Sequence, residues 1–346
     1  MKVCIIGAGK RVVEMYGPLI SSMKDIEISG FWNRDEEKGR RVENLFKWKR
    51  YKDRDLMISE TRPDAILVVV NASAITKVVS ECITYRIPII METPVWDSTI
   101  PEISKSSGIQ VYVNEQTPYL PCEDFKMMLL ETGKFGTPVV AMNDCRTFEY
   151  HGISQLRRCL GQDKIPVEIT GCVTPRYSIN YKDNNGNIQN HTEGWEFGTI
   201  KFNSGQTAVY NFSSIYNRAP FRKPRSMRVY CTMGTISNDD NQFEVHRLTP
   251  AGDTDTIHVE VEGEYMDSKM FKAEVNGIEV LWKRSEEDEC LNDQQIAIKS
   301  VFKMNLKAIS LRDSSLGYTA ASAFQDMQLL NAIRHCGYSN QVMVAR

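Results

Sequence analysis

The first dozen residues constrain the fold more than any other stretch of the chain. Lys2-Val3-Cys4-Ile5-Ile6 is an apolar, β-prone run that breaks at Gly7-Ala8-Gly9 and passes straight into a helical pattern at Lys10-Arg11-Val12. A strand–turn–helix unit begins this way when its backbone must come close to a pyrophosphate. The first glycine allows the tight turn, the second removes the Cβ that would block the phosphates, and the helix start offers unpaired N–H groups. The glycine that closes the full fingerprint is absent, with Val12 in its place. A short glycine pattern arises easily by chance, so its meaning depends on the rest of the chain.

Beyond this turn, strands and helices alternate. Strands are expected at Lys2–Ile6, Ile26–Trp32, Asp64–Val70, Pro88–Met91 and Gln110–Asn114, with helices over Val12–Ser22, Glu36–Phe46 and Ala74–Tyr85. The nearly all-apolar Asp64–Val70 reads as a parallel strand covered on both faces, so the first third predicts a doubly wound parallel sheet of the Rossmann kind. Pro118 and Pro121 bracket a boundary, giving a dinucleotide-binding domain over 1–118 and a second domain over 119–346. The second opens with a helix over Cys122–Thr132 that closes at Gly133, and another helix runs to Leu160. Strands are expected at Val139–Thr147, Val167–Ile179, Glu196–Asn203, Thr207–Ser213 and Arg228–Thr232, with hairpin turns at Asn184-Asn185-Gly186 and Asn203-Ser204-Gly205. Helices are expected over Ser285–Lys307 and Thr319–His335, the latter closing at Gly337. Consecutive strands without helices between them predict an α+β domain with a large, mainly antiparallel sheet.

Bulk properties exclude several function classes. A net charge of −2 gives no electrostatic case for nucleic acid or an anionic membrane. No apolar run approaches the roughly 20 residues of a bilayer span, and the first residues lack the features of a signal peptide. The nine cysteines stand singly and form no C-x-x-C pair, which predicts reduced thiols in a cytoplasmic protein and no metal site.

The end of the second strand bears on the cofactor. A carboxylate there would accept from a ribose 2′-OH and favour NAD(H), but the chain has Asn33-Arg34, with no acid before Asp35. An arginine beside an uncharged side chain suits a 2′-phosphate; a solvated arginine at a strand end is the alternative. Lys10 and Arg11 oppose the helix dipole unless a phosphate lies near them. NADP(H) is therefore favoured over NAD(H). Gly7, Ala8, Gly9, Lys10, Arg11, Asn33 and Arg34 are the expected cofactor contacts. Asn71, at the strand end where open α/β sheets bind ligands, and Ser73 join them.

Taken together, these residues resemble the Gfo/Idh/MocA oxidoreductase family along nearly the whole chain. Pro63–Val70 is similar to the family's fourth strand, and Ile89-Ile90-Met91-Glu92-Thr93-Pro94 falls where the family has its Glu-Lys-Pro signature. Thr132–Gly136 resembles the opening of the family's second domain, Trp195–Phe212 its central hairpin, and Val229–Ile236 and Tyr318-Thr319-Ala320 its later segments. The resemblance implies that Glu92 and Thr93 lie at the cofactor and that the outer face of the second-domain sheet packs in a homodimer or homotetramer. The departures fall on the chemistry. The family's proton-transferring lysine is Thr93 here, and the acid four residues before its histidine is Thr147.

His151 remains as candidate acid or base, histidine being the side chain generally suited to proton transfer near neutral pH, with a structural role at the helix start as the alternative. Tyr119 is a second candidate proton donor. Tyr150, Arg146 and Arg157 are candidate substrate contacts, an ion pair within the fold being the alternative for each arginine. Loss of the lysine disfavours alcohol oxidation, where a base must remove the hydroxyl proton. The expected activity is NAD(P)H-dependent reduction of a C=N, C=C or activated carbonyl group in a small metabolite. A catalytically silent NADP(H) sensor or partner subunit is the alternative, and an NAD-dependent glycosidase a third.

Overall fold

The computed structural model describes residues 1–145, 147–183, 185–215, 219, 221, 225–339 and 342–344. Two compact units divide the chain. One joins Met1–Tyr119 to Ser285–Gln325, and the other joins Leu120–Arg284 to Asp326–Arg346.

The first unit starts with β1 (Lys2–Ile6), a π turn (Val12–Tyr16) continued by α1 (Gly17–Ser21), β2 (Glu27–Trp32) and α2 (Glu36–Phe46). It continues through β3 (Arg50–Tyr51), α3 (Arg54–Thr61), β4 (Ala65–Val68), α4 (Ala72–Cys82), β5 (Ile89–Met91), α5 (Thr99–Ser107) and β6 (Val111–Val113). The six strands pair in parallel in the order β3-β2-β1-β4-β5-β6, the expected doubly wound sheet, whose order reverses at β1. All four residues of β4 are fully buried, as a central parallel strand requires.

The helix expected over Val12–Ser22 is α-helical only in its second half, and Pro18 explains why. Proline has no N–H, and its ring crowds the carbonyl four residues back, here that of Glu14. The chain widens into the π turn, and the Glu14 carbonyl accepts instead from Gln295 Nε2 at 2.8 Å.

The second unit carries α6 (Pro121–Glu131), β7 (Pro138–Cys145), α7 (Glu149–Leu160), β8 (Pro166–Val173), β9 (Tyr177–Lys182) and β10 (Ile188–Glu193). Then come β11 (Trp195–Phe202), β12 (Thr207–Ser213), β13 (Ser226–Cys231), β14 (Gly234–Asp239), β15 (Gln242–Leu248), β16 (Thr254–Ile257), β17 (Val259–Glu264), β18 (Asp267–Val275) and β19 (Ile278–Lys283). Helix α8 (Asp293–Leu311) belongs to the first unit, α9 (Ala320–Ser339) passes from the first to the second, and β20 (Met343–Val344) ends the described chain. The main sheet has the order β16-β15-β14-β13-β7-β12-β11-β8-β20 and is antiparallel except for β7 and β12. The single strand expected over Val167–Ile179 is two, because Pro175, which cannot donate to a ladder, falls between β8 and β9. Asn184 lies outside the described residues, while the turn at Asn203-Ser204-Gly205 joins β11 to β12 with Gly205 at φ +83°.

Alternation along the sheet separates two faces. Ala141, Cys145, Ile200, Ala208 and Tyr210 are buried in a core shared with Leu156 of α7 and Ile333 of α9. Met142, Thr199, Val209 and Arg228 are turned to the other face, where they line a cavity of about 490 Å³. Helix α9 does not close at Gly337 but runs on to Ser339. A Cβ at Gly337 would stand 2.8 Å from the Val173 backbone nitrogen, so this glycine lets the helix approach β8 rather than ending it.

Candidate functional site

The carboxyl ends of β1, β4, β5 and β6 lie in register, Ile6 opposite Val68, Val68 opposite Met91, and Met91 opposite Val113. Gly7, Asn71, Glu92 and Asn114 come just after these ends, so sheet pairing alone gathers the candidate residues on one edge. Gly7 adopts φ +124°, and a Cβ there would sit 2.0 Å from the Val69 carbonyl oxygen. A Cβ on Gly9 would meet no atom within 4 Å, so open space lies in front of the helix start. Ala8 and Val12 are buried. This arrangement fits a dinucleotide: a backbone cradle free of side chain, with the first N–H groups of a helix beyond it.

Lys10 is exposed and forms a surface pair with Glu14 at 3.7 Å. Arg11 is turned to the ends of β5 and β6. Its Nε donates to Glu92 Oε1 at 2.9 Å, and one Nη donates to Glu92 Oε2 at 3.5 Å and to Gln116 Oε1 at 3.2 Å. Tyr16 Oη donates to Glu92 Oε1 at 2.6 Å, and Asn114 Nδ2 donates to Tyr16 Oη at 2.9 Å. Burial and the adjacent Glu92 hold the Tyr16 phenol well above its ordinary pKa, so it stays a donor. The expected cofactor contacts Arg11 and Glu92 are thus bound to each other. Local pattern missed Tyr16, Asn114 and Gln116, although Pro18, which breaks the α period behind Tyr16, was a readable signal.

On the opposite side of β1, Asn33 Nδ2 donates to the Asp35 carbonyl at 2.7 Å. Asp35 caps α2, accepting from the Lys38 backbone N–H at 3.1 Å. Arg34 is exposed at the end of β2 and has no ion-pair partner among the described residues. Asn71 precedes α4 without a side-chain capping bond, and Asn71 and Ser73 are both exposed. Thr93 precedes Pro94 through a cis peptide bond, and Tyr119 closes a short 3₁₀ turn.

The second unit carries the remaining candidates. His151 sits in the first turn of α7, only 2% exposed. Its ring packs on Tyr150 at 4.3 Å between centroids, and Phe148, exposed before the helix, lies 6.3 Å away. Sequence reasoning missed Phe148, whose place in this cluster arises only from the turn into α7. Three residues beyond His151, Ser154 Oγ donates to its carbonyl at 2.9 Å. Gln155 is 1% exposed, yet neither end of its amide has a hydrogen-bond partner among the described residues. For Arg157 the structure has the ion pair within the fold that is its alternative reading. Arg157 is buried, paired with Asp326, and donates to the Gln162 carbonyl at 2.6 Å. Arg146 lies outside the described residues.

Among the described residues no group of three His, Cys, Asp or Glu side chains could hold a metal ion. None of their helices is long and apolar enough to cross a membrane.

A doubly wound parallel sheet with a glycine cradle at the point where its strand order reverses is the arrangement in which open α/β sheets take dinucleotides. Residues 1–106 match the sequence profile of the Gfo/Idh/MocA oxidoreductases, the oxidoreductase family with an NAD-binding Rossmann fold. Over these residues the chain is similar to that family, the one its motifs resemble. No curated protein matches it in sequence. Among solved structures it is similar to an NAD-binding oxidoreductase from Klebsiella pneumoniae, with a TM-score of 0.70 at 13% identity over 100% of this chain and 99% of that one. It is also similar to UDP-N-acetylglucosamine 3-dehydrogenase from Acidithiobacillus ferrooxidans, with a TM-score of 0.68 at 13% identity over 98% of each chain. An oxidoreductase from Agrobacterium radiobacter, solved with NAD⁺, L-tartaric acid and magnesium, gives a TM-score of 0.67 at 15% identity over 99% of this chain and 98% of that one. At these identities the likeness is one of fold.

Proposed function

We propose that the chain is an NADP(H)-linked reductase acting on a small metabolite through a C=N, C=C or activated carbonyl group. The observation that carries this reading is the pairing of the Gly7–Gly9 cradle with an exposed Arg34 just past β2 that has no ion-pair partner among the described residues. The cradle would hold the pyrophosphate, with Asn71 and Ser73 beside the nucleotide, and Arg34 would hold a 2′-phosphate by charge-assisted bonds. The dinucleotide, when bound, supplies hydride. The reduced substrate then takes up a proton, which a weak donor, water or the substrate itself can supply, and Thr93 has no titratable group to do so. His151 is the group proposed to give that proton from its ring, with Phe148 and Tyr150 forming an aromatic wall for the substrate. The solved dehydrogenase that acts on UDP-N-acetylglucosamine supports a polar, sugar-derived substrate class.

Oxidation of NADPH and NADH in the presence of imines, enones and keto sugars tests this. Turnover should favour NADPH, and Arg34→Gln should cut that preference about tenfold while leaving NADH kinetics unchanged. Tight NADPH binding with no compound ever oxidising it would leave a silent binding protein instead.

The outer face of the main sheet supports self-association as a homodimer or homotetramer. It presents Met142, Val209 and the exposed Phe197 around its cavity, an apolar patch suited to burial against a second copy. A monomer in sedimentation at micromolar concentration would remove this reading. All nine cysteines are free thiols, which supports a reducing, cytoplasmic setting.

A further inference from the structure

Glu92 is 6% exposed, and its two carboxylate oxygens are taken up by Arg11 and Tyr16 of the same unit. These two side chains reach it only because of the π turn. Residues five apart on an α-helix are rotated roughly 140° from one another, too far to converge on one group. In the turn over Val12–Tyr16, closed by the Gly17 N–H donating to the Val12 carbonyl, bonding runs from i to i+5. That brings the side chains of Arg11 and Tyr16 to the same side. Pro18 disfavours reversion to an α-helix, and Gln295 satisfies the carbonyl it leaves open. Behind Tyr16, Asn114 donates to the phenol oxygen and fixes its orientation. A buried carboxylate therefore ties the start of the helix behind the glycine turn to the ends of β5 and β6.

We propose that Glu92 is a positioning residue of the dinucleotide site: through Arg11 and Tyr16 it sets the π turn, and with it the aim of the N–H groups just beyond Gly9, without touching the dinucleotide itself. This rests on the dinucleotide reading of the glycine cradle. It assigns the acid of the altered Glu-Thr-Pro segment to the pyrophosphate end of the site rather than to the nicotinamide ribose.

Equilibrium titration of the full chain with NADPH, and with ADP, tests the proposal, because ADP carries the pyrophosphate and no nicotinamide ribose. Glu92→Gln keeps an acceptor but loses the charge, and should weaken both ligands by the same factor, about tenfold. Tyr16→Phe should weaken both about three- to fivefold. The double variant should lose less than the product of the single effects, since both act through one network. NADPH weakened by Glu92→Gln with ADP at wild-type affinity would place Glu92 on the nicotinamide half and overturn the proposal. Unchanged affinity for both ligands would overturn it equally. If Glu92→Gln does not fold, Tyr16→Phe makes the same comparison. Failure of the wild-type chain to bind either ligand is a separate result, and sinks the dinucleotide reading itself.

Discussion

Asp326→Ala should destabilise the second unit by about 3–5 kcal/mol, because it takes the Asp326 counter-ion away from the buried Arg157 guanidinium. The Arg157 side chain is 1% exposed and that of Asp326 5%, so neither charge has water to fall back on. The Gln162 carbonyl, accepting from Arg157 at 2.6 Å, is a dipole and contributes less than a carboxylate does. The pair ties α7 to the α9 segment that passes over the same sheet, so its loss loosens the core beneath both helices. A cost of this size should lower the thermal midpoint of the second unit by roughly 6–20 °C. Asp326→Asn, which keeps shape and an acceptor, should cost less. Replacing both partners together, as Arg157→Met with Asp326→Leu, should recover most of the loss, since two matched apolar side chains leave no buried charge. Calorimetry of the three variants checks the ordering. A loss below about 1 kcal/mol for Asp326→Ala would show that the guanidinium is solvated in solution.

The same pair marks where sequence reading stops. Arg157 was legible as a cation on a helix, but its partner is 169 residues away and no local pattern links them. Arg11 and Glu92, 81 residues apart, are alike in this. Elements set by short-range physics were legible: the all-apolar β4, the capped α2 and the Gly205 turn are each dictated by residues within a few positions. Pro175 between β8 and β9 was a readable break that a continuous β-prone run obscured. The strands from β14 to β19 were harder, because Val259–Glu264 and its neighbours interleave charges with apolar residues on a half-exposed sheet. Helix α8 was visible as a helix, but its amphipathic face does not say which sheet it covers. Its capping box at Asn292 and Gln295, and the Gln295 bond to the Glu14 carbonyl, place it in the first unit. Gly337 misled for a related reason. Glycine ends helices often, yet here it serves a close approach, which only the packed neighbour reveals.

The two glycines of the opening turn should respond in opposite ways to the same added methyl group. Gly7→Ala should damage the fold. Its Cβ would lie 2.0 Å from the carbonyl oxygen of Val69, the residue just past β4 whose N–H is held by the Ile6 carbonyl of β1, and φ +124° is closed to residues with a side chain. A loss of roughly 3 kcal/mol or more in the stability of the first unit is expected, with dinucleotide binding falling as a consequence. Gly9→Ala should leave the thermal midpoint within about 2 °C of wild type, since its Cβ would enter open space. Yet NADPH affinity should fall about 100-fold, because that space is where the pyrophosphate must approach the backbone. Thermal unfolding and NADPH fluorescence, measured on both variants, separate the two effects. Should Gly9→Ala bind NADPH as tightly as wild type, the space before the helix is not the phosphate site, and the reading that begins at Gly7-Ala8-Gly9 fails at its first step.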